Sequence, residues 1–396
     1  MKCVEKWFVN GLLLAVALAL PACGGDTSSS VETVDEGDEA PEPANSDVPT
    51  VTLDPTWSVL KELDIIYAEG LVHSETSAAP FSTAQLGEDT PLKLDMYSPD
   101  NDSTNRPVFL FIHGGGFTGG LKDGPEMVEM ANYYASRGWV FASVDYRTTE
   151  ELCNAKESSA CKDKVKEMLI NDGLNGSDEV VTFYKGIAPT EWVEYAASSA
   201  ETPKELQIGI AQYAAQRDAK AALRWIVANA STYGINTEYI TVGGNSAGAV
   251  TTIALGISNL DDFRDEISQD DDPTLDTTNL TETYDVKSMV YFWGSNAKLN
   301  LFEGVYDLEQ YDRYDADDPE LFMGHGQGED PQTPYEGALE LQEIYDSLGL
   351  YSELATLVLP NGEPAGHGAW TGQVDGIGLF ELSFNFLIER QGITLQ

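Results

Sequence analysis

Eight residues, Thr241-Val242-Gly243-Gly244-Asn245-Ser246-Ala247-Gly248, constrain the fold of this chain more than any other stretch. An apolar β-like run, Tyr239 to Val242, meets glycines, then a serine, then a helix-like run through Leu255. G-x-S-x-G at a strand-to-helix junction reads as a nucleophile elbow. The turn is so sharp that side chains at Gly244 and Gly248 would collide with the crossing strand and helix. The Ser246 hydroxyl is then held clear of the sheet at a helix N-terminus, where developing negative charge is favoured.

The flanking pattern repeats strand, turn, helix. Leu92 to Tyr97 alternates apolar and polar residues, as in a strand with one buried face. Val108 to Ile112 is continuously apolar, as in a strand covered on both faces, and runs into His113-Gly114-Gly115-Gly116-Phe117. Three glycines there let backbone N–H groups turn towards a ligand without obstruction. Lys122 to Arg137 reads as a helix and Trp139 to Val144 as a buried strand, followed by Asp145-Tyr146-Arg147. Glu205 to Ala230 carries a long apolar helical face. Then come strands at Val286 to Trp293 and Leu321 to Met323, a helix over Pro334 to Leu348, a strand at Leu354 to Leu359, and a helix over Gly376 to Arg390 capped by Asp375. Strands alternating with helices predict an α/β fold, a mostly parallel sheet with helices on both faces.

Between Thr148 and about Pro203 the periodicity fades. The segment is long for a simple connection and rich in aromatics, so residues 148–203 read as a lid or pocket wall. Cys153 and Cys161 fall inside it.

The N-terminus reads as an export signal. Lys2 and Lys6 precede an apolar run, Gly11 to Leu20, that is too short to span a bilayer. It ends Leu20-Pro21-Ala22-Cys23, which resembles a bacterial lipobox with Cys23 as the lipidated first residue of the mature protein. Gly24 and Gly25, rather than Asp, favour the outer membrane. Residues 24 to about 50 hold Ser, Glu, Asp and Pro with few large apolar groups and read as a disordered acidic tether, 23–50, ahead of a single domain over 51–396. With Cys3 in the signal and Cys23 as the anchor, Cys153 and Cys161 are most simply a disulfide in an exported protein.

The chain carries 66 acidic residues against 22 basic ones, a formal charge of −44. That excludes a nucleic-acid binder. The dense run Asp261-Asp262, Asp265-Glu266 and Asp270-Asp271-Asp272 has the charge for Ca²⁺ but lacks the spaced ligands and glycine of an EF-hand loop, so it reads as a solvated surface. No metal or cofactor is expected.

Four histidines are candidates for a base. His73 precedes the core and reads as incidental, while His113 and His325 each close a strand and are expected to hold loops. His367, in the loop Gly366-His367-Gly368 after the last strand, can reach the elbow across the sheet tips. The acid belongs between Ser246 and His367, and His325-Gly326-Gln327-Gly328-Glu329-Asp330-Pro331 supplies two candidates, Glu329 and Asp330.

Together these motifs resemble the α/β-hydrolase carboxylesterases and lipases, including the hormone-sensitive-lipase-like bacterial esterases, from about Leu92 to the C-terminus. The chain order Ser, acid, His matches that family. The resemblance implies an exported serine carboxylesterase with a triad of Ser246, Asp330 and His367, an ester as substrate, and an oxyanion hole made by the N–H groups of Gly115, Gly116 and Ala247. Asn245 departs from the usual Asp or Glu. Counting from His325-Gly326 lands on Glu329, whereas the Asp-Pro pair favours Asp330. A serine peptidase on the same fold and an inactive surface binding protein are the alternatives.

Overall fold

The computed structural model describes residues 48–73, 86–152, 178–306 and 312–396. Cys23, Cys153 and Cys161 lie outside the described residues, as do the signal and most of the tether.

Eight strands form one sheet: β1 (Val59–His73), β2 (Leu86–Pro99), β3 (Arg106–Ile112), β4 (Val140–Val144), β5 (Ile235–Asn245), β6 (Val286–Phe292), β7 (Glu320–Gly326) and β8 (Ser352–Leu357). Their order across the sheet is β1-β2-β4-β3-β5-β6-β7-β8. β1 and β2 are antiparallel to each other, and β2 is antiparallel to β4. All neighbours from β4 to β8 are parallel. The α/β architecture expected from the alternating pattern is therefore present, with two antiparallel strands at one edge.

β3 shows why the sheet is central. Every residue of Arg106–Ile112 is buried, and successive side chains enter opposite cores because a strand has a period of two. Val108, Leu110 and Ile112 pack into one hydrophobic cluster. Phe109 and Phe111 pack into the other. Helices α3 (Pro203–Ala228), α4 (Ala247–Ile257) and α5 (Tyr335–Leu348) cover the first face. Helices α1 (Pro125–Ala135) and α6 (Leu379–Gln391) cover the second, through Met130, Tyr134, Phe384 and Leu387. The remaining long helix, α2 (Thr190–Ser199), docks on α3, with the Trp192 Nε1–H donating to the Gly209 carbonyl at 2.9 Å.

Three expectations need correction. Asp375 does not cap the last helix, whose N-cap is Gly378. Asp375 and Gly376 have φ of 52° and 86° and form the tip of a two-residue hairpin pairing Gln373–Val374 with Ile377–Gly378. Asp-Gly suits such a turn because both positions require positive φ. His73 is not incidental: it is buried and stacks on Phe183 at 3.9 Å. α2 falls inside the stretch where periodicity faded, because its buried side chains, Trp192, Val193, Ala196 and Ala197, make a short stripe.

Topology fixes where a ligand can sit. The chain leaves β3 for β4 on one side, and β5 lies against β3 on the other. Ligands of open α/β sheets bind beyond the carboxyl ends of strands at such a switch point. The loop after β3 and the elbow after β5 meet there.

Candidate active site

The elbow is strained as its sequence requires. Ser246 has φ 52° and ψ −118° at the N-cap of α4, and its N–H donates to the Phe292 carbonyl at 2.9 Å. Such a backbone persists only where the surroundings over-determine it. A Cβ on Gly248 would lie 2.0 Å from the Ile112 carbonyl oxygen, and one on Gly244 would lie 2.4 Å from the Gly248 carbonyl. Both glycines are therefore obligatory for the strand to cross the helix.

The glycine loop after β3 is held against that elbow. The Gly114 N–H donates to Asn245 Oδ1 at 3.0 Å. Gly115 has φ 129°, and a Cβ there would sit 1.8 Å from the Gly119 carbonyl oxygen. The N–H groups of Gly115 and Gly116 donate to no backbone carbonyl among the described residues, and both glycines line the cavity that also holds Ser246 and Ala247. His113 closes β3 as a loop holder: its Nδ1–H donates to the Gly114 carbonyl at 2.7 Å, and its ring stacks on Tyr146 at 4.4 Å. Burial pushes the His113 pKa down. Its Nε2 faces Asp145 at 3.6 Å, and burial raises that carboxyl to about 6 against the pull of the Lys122 N–H.

His367, which lines the same cavity, has its Nδ1 2.9 Å from Asp330 Oδ2. Glu329 is exposed, whereas Asp330 is buried. Burial alone would raise the Asp330 pKa. Hydrogen bonds from the Thr333 hydroxyl and N–H, and the His367 ring, outweigh it and hold the carboxyl below its ordinary range. An ionised Asp330 accepts the Nδ1–H of His367, which leaves Nε2 unprotonated on a neutral ring. His325 is fully buried and donates its Nε2–H to the Thr333 carbonyl at 2.8 Å. It holds the acid loop, as its place at the end of β7 suggested.

Ser246, Thr333 and His367 line one open cavity of about 800 Å³. Ala196 and Ser199 of α2, Ile208 of α3 and Leu301 also line it. The chemistry available is that of a hydroxyl and an imidazole lining one cavity, the imidazole's Nδ1 tied to a buried carboxylate, with the backbone N–H groups of Gly115 and Gly116 on the same lining. Among the described residues, no group of three or more His, Cys, Asp or Glu is placed to hold a metal ion.

The BD-FAE family model matches residues 94–170 and 209–344, more than half of the chain. The chain belongs to the BD-FAE family. The BD-FAE match takes in the glycine loop, Ser246, Asp330 and Thr333, and ends before His367. No curated protein matches the chain. Among solved structures, a thermophilic esterase from the Planctomycetes species Thermogutta terrifontis, with butyrate bound, is 18% identical with a TM-score of 0.50, covering 83% of this chain and 93% of that one. The native form of that esterase gives 19% identity, a TM-score of 0.48, and coverage of 83% and 91%. A truncated carbohydrate esterase from gut microbiota gives 16%, 0.48, and coverage of 86% and 99%. At such identity the first of these likenesses speaks for the fold alone.

Two residues of this BD-FAE site were not singled out as site residues by motif. Asn245 stood out only as a departure from the usual acid. Thr333 was not singled out at all. The signal available was Asp330-x-x-Thr333, a spacing at which a carboxylate accepts the N–H groups two and three residues on. Both bonds form, from Gln332 at 3.2 Å and Thr333 at 3.0 Å.

Proposed function

We propose that this chain is a serine carboxylesterase in which Ser246, His367 and Asp330 form the triad. His367 Nε2 takes the Ser246 proton as Oγ attacks the ester carbonyl. The tetrahedral oxyanion is bound by the N–H groups of Gly115, Gly116 and Ala247. Collapse breaks the bond to the alkoxy oxygen, His367 returns the proton to the leaving alcohol, and water repeats the sequence on the acyl-enzyme to release the acid. Asp330 keeps the imidazole in the tautomer that accepts at Nε2 and stabilises the imidazolium. The observation that carries this reading is the 2.9 Å contact of His367 with Asp330 on the rim of the cavity that holds Ser246. The motif set argues for kinship with the hormone-sensitive-lipase-like branch of bacterial esterases.

The sequence adds export, a lipid anchor on Cys23 in the outer membrane, a Cys153–Cys161 disulfide and a lid over 148–203. Intact mass of the mature protein, with and without reductant, checks the anchor and the disulfide together. For the lid, the support is that Ala196, Ser199 and Ala200 line the cavity.

The assay is hydrolysis of p-nitrophenyl butyrate, chosen because the Thermogutta esterase binds butyrate. Ser246→Ala is expected to lower kcat by about 10⁴-fold or more. A variant that keeps its turnover removes the assignment.

A further inference from the structure

Resting on the triad reading, we propose that Thr333 is a positioning residue for the Asp330–His367 pair, acting through its hydroxyl as a third member of that contact. Three polar atoms form a closed triangle. Thr333 Oγ1 lies 2.7 Å from Asp330 Oδ2 and 3.0 Å from His367 Nδ1, and those two lie 2.9 Å apart. Two protons serve three edges. The threonine hydroxyl donates to Oδ2, and the imidazole Nδ1–H donates to Oδ2 with the hydroxyl oxygen as a second acceptor beside it.

Every polar atom of Thr333 is engaged. Its N–H donates to Asp330 Oδ1 at 3.0 Å, and its carbonyl accepts from the buried His325 at 2.8 Å. The backbone of Thr333 is thus anchored to β7 through His325. Its side chain is buried at the edge of the cavity, with the residue only 5% exposed. The Asp330 carboxylate accepts two bonds at each oxygen, which fixes the plane of the carboxyl group and aims Oδ2 at Nδ1.

Without the hydroxyl, Oδ2 keeps one donor, the imidazole itself, and the carboxyl can turn about its last torsion. The imidazolium formed in the transition state then meets a less well aimed charge, while the binding of the neutral ester hardly changes. The effect belongs to kcat and not to KM.

Thr333→Val keeps the shape and removes the hydroxyl. Thr333→Ser keeps the hydroxyl. On p-nitrophenyl butyrate, Thr333→Val is expected to lower kcat about 10-fold with KM within about 2-fold, and Thr333→Ser to restore kcat to within about 3-fold of wild type. Thermal melting of both variants reports folding. Full kcat in folded Thr333→Val, or equal losses in Val and Ser variants that melt like wild type, overturns the proposal. Ser246→Ala, run alongside, separates this from failure of the triad reading: an active Ser246→Ala sinks the triad itself, whereas an inactive one with an unimpaired Thr333→Val sinks only the role of Thr333.

Discussion

Asp330 and Glu329 are neighbours with opposite surroundings. The Asp330 carboxylate is buried, accepts four hydrogen bonds and touches His367, while Glu329 faces solvent. A carboxylate that orients a base must be held and shielded, so only Asp330 meets the requirement. Asp330→Asn is expected to cut kcat by about 10³- to 10⁴-fold, because an amide favours the wrong tautomer of the ring. Glu329→Gln is expected to stay within about 2-fold. Steady-state rates of the two variants check this, and the reverse ranking contradicts it. Motif order in the sequence already pointed to Ser246 and His367, since an elbow and a loop histidine are local patterns. It left two acids open, because counting along a loop says nothing of which carboxylate turns inward. Thr333 was hidden for a related reason: its hydroxyl acquires its role only when the loop around His367, 34 residues further on, folds against it.

At the scale of elements, α3 and the acidic segment that follows α4 explain each other. Arg217, Lys220 and Arg224 recur at helical spacing and are buried. Arg217 pairs with Asp272 at 2.7 Å. Lys220 donates to the carbonyls of Asn259 and Asp262 at 2.6 and 2.8 Å, and Arg224 donates to the Thr278 carbonyl. The segment is therefore strapped to α3 at Asp272 and through its backbone, while Asp261, Asp265, Glu266 and Asp270 stay exposed, as a solvated surface requires. Composition alone could not reveal this, because the cations lie some 50 residues upstream within an apolar helical pattern.

Burial lowers the Lys220 pKa to about 7, outweighing the pull of Asp262 and Glu266, while Arg224 and Arg313 push the same way as burial. An unfolded lysine keeps its proton to about 10.4. Between these values the unfolded chain binds more protons, so stability linked to Lys220 rises with pH from about 7 to 10.4 and is level below 7. Lys220→Met should flatten that rise. Urea midpoints at pH 6 and pH 9 are expected to show a larger upward shift in wild type than in the variant. Equal shifts would contradict the burial of a titrating ammonium. The antiparallel strand β1 was illegible for another reason. Register shifts interrupt it at Glu62/Ile65, Ile66/Ala68 and Val72/His73, and Leu60, Leu63 and Ile66 are exposed. Neither an alternating nor a continuous apolar pattern survives such bulges.

At the scale of the whole molecule, the sheet order decides the chemistry. β3, β5, β7 and β8 deliver the glycine loop, Ser246, Asp330 and His367 to the same edge, so groups more than 250 residues apart in sequence share one cavity. The parallel core was legible because strands covered on both faces read as unbroken apolar runs. β1, at the antiparallel edge, was not, since it mixes exposed and buried positions. The formal charge of −44 belongs to the whole chain, whereas the cavity lining carries one Lys and one Glu, Lys204 and Glu205, which offset each other. The substrate is therefore expected to be recognised by the shape and polarity of the cavity rather than by long-range attraction.

The most direct measurement is intact-protein and peptide mass after reaction with a fluorophosphonate probe. One phosphonyl group on the peptide containing Ser246 is predicted, absent in Ser246→Ala and greatly slowed in His367→Ala. A folded wild-type protein that takes up no phosphonyl group, or takes it up on a different residue, would show that the elbow serine is not an activated nucleophile.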